Sequence, residues 1–362
     1  MNLVLEHINP LPMRTWFALK INDTRLEASV ADSSPYQGEP LASPLPDGVS
    51  VFQGALPEIE TGMGQEAVAF VQENQNCGAS LRIAAGTKVS RPVFLSYRID
   101  ADNPTVVDST AILAEAGSEV TVVASYTSDK KTAGFHGGLT KVYAEKGAVV
   151  HLVLVQLLGE RCLTFNNVGA LADEGARVDL IQAELGGQRA LAGCKALLAG
   201  TEAALDLNAI YFGDRSRQLD FNYIAEHQGR RTHTEIHVSG ALLDESSKTF
   251  RGTIDFKKGA KHAVGHESEY NLLFSPKVHN VTAPLILCAE EDVEGQHAAS
   301  TGKIDEAKLF YLMSRGLSEP ETKKLMIEAQ FQPVTDRIPD AALRAAISAY
   351  VKERLDAIDS LP

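Results

Sequence analysis

Cysteine is scarce in this chain. Its four residues, Cys77, Cys162, Cys194 and Cys288, lie far apart with no CxxC pair, which argues against both a disulfide framework and a closed zinc site. Long apolar runs are missing too, and no window of about 18 apolar residues exists to span a bilayer. The start, MNLVLEHINPLPMRTW, has neither the basic opening nor the apolar core of a secretory signal. A reducing, cytoplasmic location is therefore expected. Positive charge is in deficit, with 34 Lys and Arg against 47 Asp and Glu and a formal net charge of -13. Phosphate-tracking surfaces depend on Lys and Arg, so neither nucleic acid nor an anionic membrane is expected as a partner. The GxSxG elbow and the GxxxxGK[ST] turn are both absent, which removes the mechanical cores of serine hydrolases and P-loop enzymes. A non-enzymatic role is the expectation.

What the sequence has is a repeat. GxxV occurs at Gly86 to Val89, Gly117 to Val120, Gly147 to Val150 and Gly175 to Val178. Looser copies extend the grid to Leu205, Thr232 (after Gly229) and His262 (after Gly259), in steps of 27 to 31 residues. Between anchors, VTVVASY, VVHLVLVQLL, VDLIQAEL, LDLNAIYF and HTEIHVSGALL alternate with period two and are rich in β-branched residues. A unit of strand and turn alone is too short for a βαβ motif. It fits one coil of a parallel β-helix, in which successive coils pair and share an interior. Seven such coils would stack to a length on the order of 34 Å. An antiparallel sandwich or barrel is the competing fold, but seldom keeps a fixed grid with glycine in one phase.

The ends differ from the middle. Three regions are expected: 1–80, an N-terminal region with the linker SSPYQGEPLASPLPDG and a helix at GQEAVAFVQENQ; 81–303, the β-helix; and 304–362, helical. For the first C-terminal helix, Asp305 is the N-cap, Ile304 and Leu309 form a hydrophobic staple, and Gly316 stops the helix. Ser318 and Glu321 have capping-box spacing with Pro320 in the first turn. A third helix from Pro339 carries the apolar stripe Leu343, Ile347, Tyr350, Val351, Leu355 and Ile358. Since an open solenoid end exposes unpaired strand edges, these helices are expected to cover that edge or to dock a partner.

Chemistry-bearing residues are few. Gly62, Gly64 and Ala67 match GxGxxA, but PEIET before them is no buried strand. Two HxxxH pairs, His233 with His237 and His262 with His266, each put two imidazoles on one strand face and lack a third ligand in sequence. His297 sits in the acidic stretch EEDVEGQHAAS, where Glu290, Glu291, Asp292 and Glu294 favour its protonated form or add oxygen donors. Composition alone leans toward a solvated histidine.

The run DVEGQHAASTGKIDEAKLFYLMSRGLSEPETKKLMIEAQFQPVTDRIP resembles the C-terminal signature of the SufB/SufD family, scaffold components of Suf iron-sulfur cluster assembly. The resemblance rests on Asp292, Val293, His297, Ala299, Gly302, Ile304, Asp305, Leu309 to Leu312, and Ser314 to Gly316, in register. Upstream, RGTIDFKKGAKHAVGHESEYNLLFSPKVHNVTAPLILC is similar as well, so residues 235 to 340 are covered. The resemblance implies a right-handed parallel β-helix between an N-terminal region and a C-terminal helical domain. It implies partners too: a SufB-like subunit, or a second copy, paired through the β-helix, and a SufC-like ABC-type ATPase docked on the C-terminal helices. Carried over by position, His297 stands where the family has a SufD histidine, a candidate ligand for a transient iron-sulfur cluster, with no tightly bound cofactor implied. Leu309, Phe310, Tyr311, Leu312 and Arg315 fall on the ATPase-docking helix.

Two departures accompany the match. Gly295 occupies a position where many SufD sequences have cysteine, and Ala298 one where SufB has glutamate, so the chain resembles SufD more than SufB. Any thiolate would come from a partner or from Cys288. A carbohydrate-active β-helix enzyme and a purely structural paralogue without a cluster ligand are the alternative readings.

Overall fold

The structure, a computed structural model, describes residues 1–303 and 306–359. It begins with a short antiparallel pair, β1 (Asn2–Ile8) and β2 (Thr24–Ser29), followed by β3 (Val49–Val51) and helix α1 (Gln65–Asn74). Sixteen parallel-paired strands come next: β4 (Cys77–Ile83), β5 (Val93–Ile99), β6 (Thr105–Ala114), β7 (Glu119–Ser128), β8 (Phe135–Ala144), β9 (Val149–Leu157), β10 (Leu163–Ala172) and β11 (Arg177–Glu184). The series continues through β12 (Arg189–Leu198), β13 (Ala204–Gly213), β14 (Gln218–His227), β15 (His233–Leu242), β16 (Ser247–Phe256), β17 (Ala263–Leu273), β18 (His279–Cys288) and β19 (Val293–Lys303). Helices α2 (Glu306–Ser314), α3 (Glu319–Thr335) and α4 (Ala341–Asp359) follow.

Even-numbered strands from β4 to β18 form one sheet, with β3 added antiparallel at its edge, and odd-numbered strands from β5 to β19 form the other. Each coil contributes one strand to each sheet. The fold is thus a parallel β-solenoid of eight coils, and the alternating segments read as strands all fall in the odd-numbered sheet. Between the sheets lies an apolar interior of Val, Leu, Ile and Ala stacked in register.

The glycine grid marks one corner. Gly86, Gly117, Gly147 and Gly175 have φ between 65° and 69°, a left-handed turn that glycine adopts without steric cost. Later coils keep the turn and lose the glycine: Glu202, Arg231 and His262 take the same place with φ of 61°, 53° and 60°. This corrects two anchors. Leu205 is registered on Thr234 and Thr234 on Gly265, so the anchors are Thr234 and Gly265, not Thr232 and His262. Gly229 misled because its role is different: a Cβ there would meet the Gly200 carbonyl oxygen at 2.0 Å. Gly265 is registered on Gly295, which supplies the eighth coil.

Each sheet also carries an apolar patch on its outer face, covered by other elements, as parallel sheets commonly require. Val107, Phe135, Leu139, Phe165 and Leu191 of the even sheet are covered by Leu3, Leu5, Ile8 and Leu26 of β1 and β2 and by Val68 and Val71 of α1. Val153, Val155, Ile181, Ile210 and Phe212 of the odd sheet are covered by Ile327, Phe331 and Val334 of α3 and Ile347, Val351 and Leu355 of α4. Helices α3 and α4 therefore take the outer face of the odd sheet, drawn there by its aliphatic side chains. The Ser318 capping box forms, with Glu321 Oε2 accepting from Ser318 N at 2.8 Å, and Gly316 turns left-handed at φ 99°. Ile304 and Asp305 lie outside the described residues, as does the side chain of Ile358.

The first coil has its edges closed. β3 pairs with β4, and Leu41 bridges Leu95 of β5. The segment read as a linker is thus a docked strap, and Tyr36 packs edge-on against Tyr97. At the far end β18 and β19 are the outermost strands of their sheets.

Candidate functional site

His297 lies midway along β19 and is exposed, as are its neighbours from Glu294 to Thr301. Strand parity puts its position on the side facing the interior, in register with Glu267 of β17. One column of interior positions shows how the solenoid changes toward this end. Val122, Leu152, Leu180, Leu207 and Ile236 succeed one another coil by coil, and then come Glu267 and His297. An aliphatic ladder becomes ionisable in its last two rungs.

Glu267 is only 4% exposed. Its carboxylate lies over Gly252 of β16, where a Cβ would stand 2.2 Å from Oε2, and Oε2 has no hydrogen-bond partner among the described residues. Burial, helped by the neighbouring Glu269, pushes its pKa up to about 8, so it holds its proton at neutral pH. Two positions along the strand, Glu269 accepts from Lys248 Nζ and from Thr282 Oγ1, with the Tyr211 hydroxyl 3.3 Å away. Lys248 also donates to the Val281 carbonyl at 3.2 Å. The interior near this end thus holds a cluster of buried Lys248, Glu267, Glu269 and Asn271, next to the strand that bears His297. These residues were not singled out in the sequence. The signal was the alternation in AVGHESEYNLL, which gives Glu267 and Glu269 the parity of interior positions.

Gly295 has a packing reason. A Cβ at that position would come within 2.9 Å of the Phe256 ring, so this corner holds Phe256, Ile254 and Ile286 where a cysteine side chain would otherwise project. Cys288 is registered on the same Phe256 and is exposed, its Sγ 3.0 Å from the Glu290 carbonyl. An exposed thiol and an exposed imidazole therefore belong to the same terminal coil.

On α2, Phe310 is 74% and Tyr311 55% exposed, Arg315 stacks over the Tyr311 ring at 5.1 Å, and Leu309 and Leu312 are half-buried. The other sequence candidates resolve into structure. Gly62 packs on the backbone of Cys194, where a Cβ would stand 2.1 Å from its nitrogen, and Gly64 is the N-cap of α1. Three of the four HxxxH histidines meet on the outer face of the odd sheet, where Glu235 lies 3.1 Å from His233, 3.6 Å from His237 and 3.0 Å from His266. His262 instead pairs with Asp292 at 3.2 Å. Among the described residues, no group of three His, Cys, Asp or Glu side chains is placed to hold a metal ion, and no helix is long and apolar enough to cross a membrane.

The class the fold defines is a parallel β-solenoid, edge-paired at its first coil and ending in the outermost strands β18 and β19, with ionisable residues in its last rungs. Residues 97–330 match the family described as SUF system FeS cluster assembly, SufBD core domain, and the chain belongs to that family. It is 25% identical over 283 residues to the iron-sulfur cluster assembly protein SufD of Bacillus subtilis, covering 77% of this chain and 64% of that protein. It is 28% identical to a SufBD family protein of Pyrococcus horikoshii, over 73% of this chain and 59% of the relative. Against SufB of Bacillus subtilis the identity is 23%, over 72% and 57%. The chain spans about three fifths of the length of these curated relatives.

Proposed function

We propose that the chain is a non-enzymatic, SufD-like scaffold subunit of Suf iron-sulfur cluster assembly. In this reading β18 and β19 pair with a SufB-like subunit or a second copy, and α2 docks a SufC-like ABC-type ATPase. His297 serves as a ligand to a cluster that is cargo, built transiently where the two scaffolds meet. The observation that carries the reading is the placement of His297: exposed, on the outermost strand of a solenoid whose opposite end is closed. Neutral imidazole is a competent iron ligand beside thiolates, and the terminal coil adds the exposed Cys288. Exposed Phe310 and Tyr311 on a surface helix support the docking assignment, since aromatic side chains left in water commonly mark partner surfaces.

The test is anaerobic reconstitution of the complex with iron and sulfide, read by visible absorption. His297→Ala should reduce cluster formation while leaving complex assembly intact. Cluster yield equal to wild type would leave a structural paralogue as the better description. The carbohydrate-active alternative rests on architecture alone and is checked by a polysaccharide-degradation assay.

A further inference from the structure

Along one corner of the solenoid, residues 158–162, 185–188 and 214–217 carry three successive coils from the odd sheet to the even one. The last turns of α4 lie across this corner. The Tyr350 hydroxyl donates to the Leu158 carbonyl at 2.7 Å, and Arg354 donates to both oxygens of Asp214 at 2.8 and 2.6 Å. Between helix and turns is a cavity of about 280 Å³ into which Arg161, Arg215, Arg217 and Arg354 project together with Glu160 and Asp214. Four arginines thus line the cavity against two carboxylates among the described residues, with Arg161 also donating to the Lys131 carbonyl at 3.1 Å. In a chain of net charge -13, this is a local reversal of sign.

The hydrogen bonds are as incomplete as the charge. Arg217 is only 3% exposed. Its Nη1 donates to the carbonyls of Leu185 and Phe212, while Nη2 is ion-paired with Asp214 at 3.2 Å but has no hydrogen-bond acceptor in good geometry among the described residues. Arg215 Nε is also buried without an acceptor among the described residues. Glu160 is already shared between Arg215 and Arg354, and Asp214 between Arg354 and Arg217. The nearby Asp244 is engaged by the Arg215 backbone N–H, and Glu353 by Lys130. Buried guanidinium donors without acceptors are costly, and their natural complement is a compact anion with several oxygens. Arginine's planar fork suits phosphate geometry in particular.

We propose that this cavity is a binding site for a phosphate-class oxyanion, held by Arg161, Arg215 and Arg217, with Arg354 closing it from α4. Because Arg354 belongs to the helical layer and Arg217 to the solenoid, the bound anion fastens one to the other. The site stands apart from His297 and independently of the cluster-assembly reading.

The experiment is calorimetric titration of the full chain with sodium phosphate at constant ionic strength, paired with thermal melts in phosphate and in chloride. A saturable one-to-one isotherm and a phosphate-specific rise in melting temperature are expected. Arg161→Gln and Arg215→Gln, both at solvent-accessible positions, should each weaken binding roughly tenfold or more while retaining the wild-type circular dichroism spectrum. A parallel titration with ADP identifies the source of the phosphate: competition points to a nucleotide, and indifference to free phosphate. Phosphate acting no differently from chloride, or binding unchanged in Arg215→Gln, would overturn the assignment.

Discussion

Glu184 offers a test of how the solenoid tolerates charge in its interior. The side chain is fully buried on β11, Oε1 accepts from Asn166 at 2.7 Å and from Gln182 at 3.1 Å, and Oε2 has no partner among the described residues. Burial pushes its pKa from 4.5 up to about 8. Between these two values the unfolded chain releases a proton that the folded chain keeps, so stability falls as pH rises, with the full loss reached above about pH 8. At 1.36 kcal/mol per pH interval, about 3 kcal/mol is lost by pH 7 relative to a neutral side chain, a large share of a typical folding free energy. Glu184→Gln keeps the shape and the acceptor while removing the ionisation. Scanning calorimetry of both proteins from pH 5 to 9 should show nearly equal melting temperatures at pH 5 and a gap of several degrees, favouring the variant, at pH 8. Parallel curves across that range would rule out a protonated Glu184, because they would mean that the carboxyl is ionised or relaxed in the folded state.

Phe331→Ala should cost about 3 to 5 kcal/mol through the void left between α3 and the odd sheet, seen as a lower melting temperature and earlier proteolysis of the helical segment. Glu202→Gly places glycine at φ 61°, where the first four coils have it, and should raise stability by about 0.5 to 1 kcal/mol by denaturant titration. Gly240→Ala should destabilise by about 1 to 3 kcal/mol or yield insoluble protein, because its Cβ would fall 1.9 Å from the Tyr211 ring. Phe310→Asp combined with Tyr311→Ser should abolish co-purification of an ATPase partner with no change in melting temperature; retained binding would remove α2 from the interface.

The repeat was legible because its turn is made by glycine in four coils, and it blurred where Glu202, Arg231 and His262 take over the left-handed position. Side-chain alternation located the odd strands, whose aliphatic runs are strong. It left the even strands unassigned, since a strand such as LTFNNVGALA mixes buried Asn166 and Asn167 into its interior and packed faces. The helices were readable from caps and stripes, yet not where they would lie. That depended on the outer-face residues Val153, Ile181 and Ile210, which look in sequence like any other core positions. His297 was found through a family motif, whereas Glu267 required register: only the pairing of β17 with β19 puts the two side by side.

The cladding of the odd sheet has a consequence for how the molecule comes apart. In a bare solenoid each coil touches only its neighbours, so stability adds coil by coil and unravelling can stop anywhere along the stack. Here the apolar layer beneath α3 and α4 draws side chains from β7, β9, β11, β13, β15 and β17 into one cluster. Two helices act as a clamp laid across six rungs. Pulled from the β19 end, the terminal coil lies outside the clamp and should come away first, whereas the six coils beneath the helices should yield together, at the force that lifts the helices.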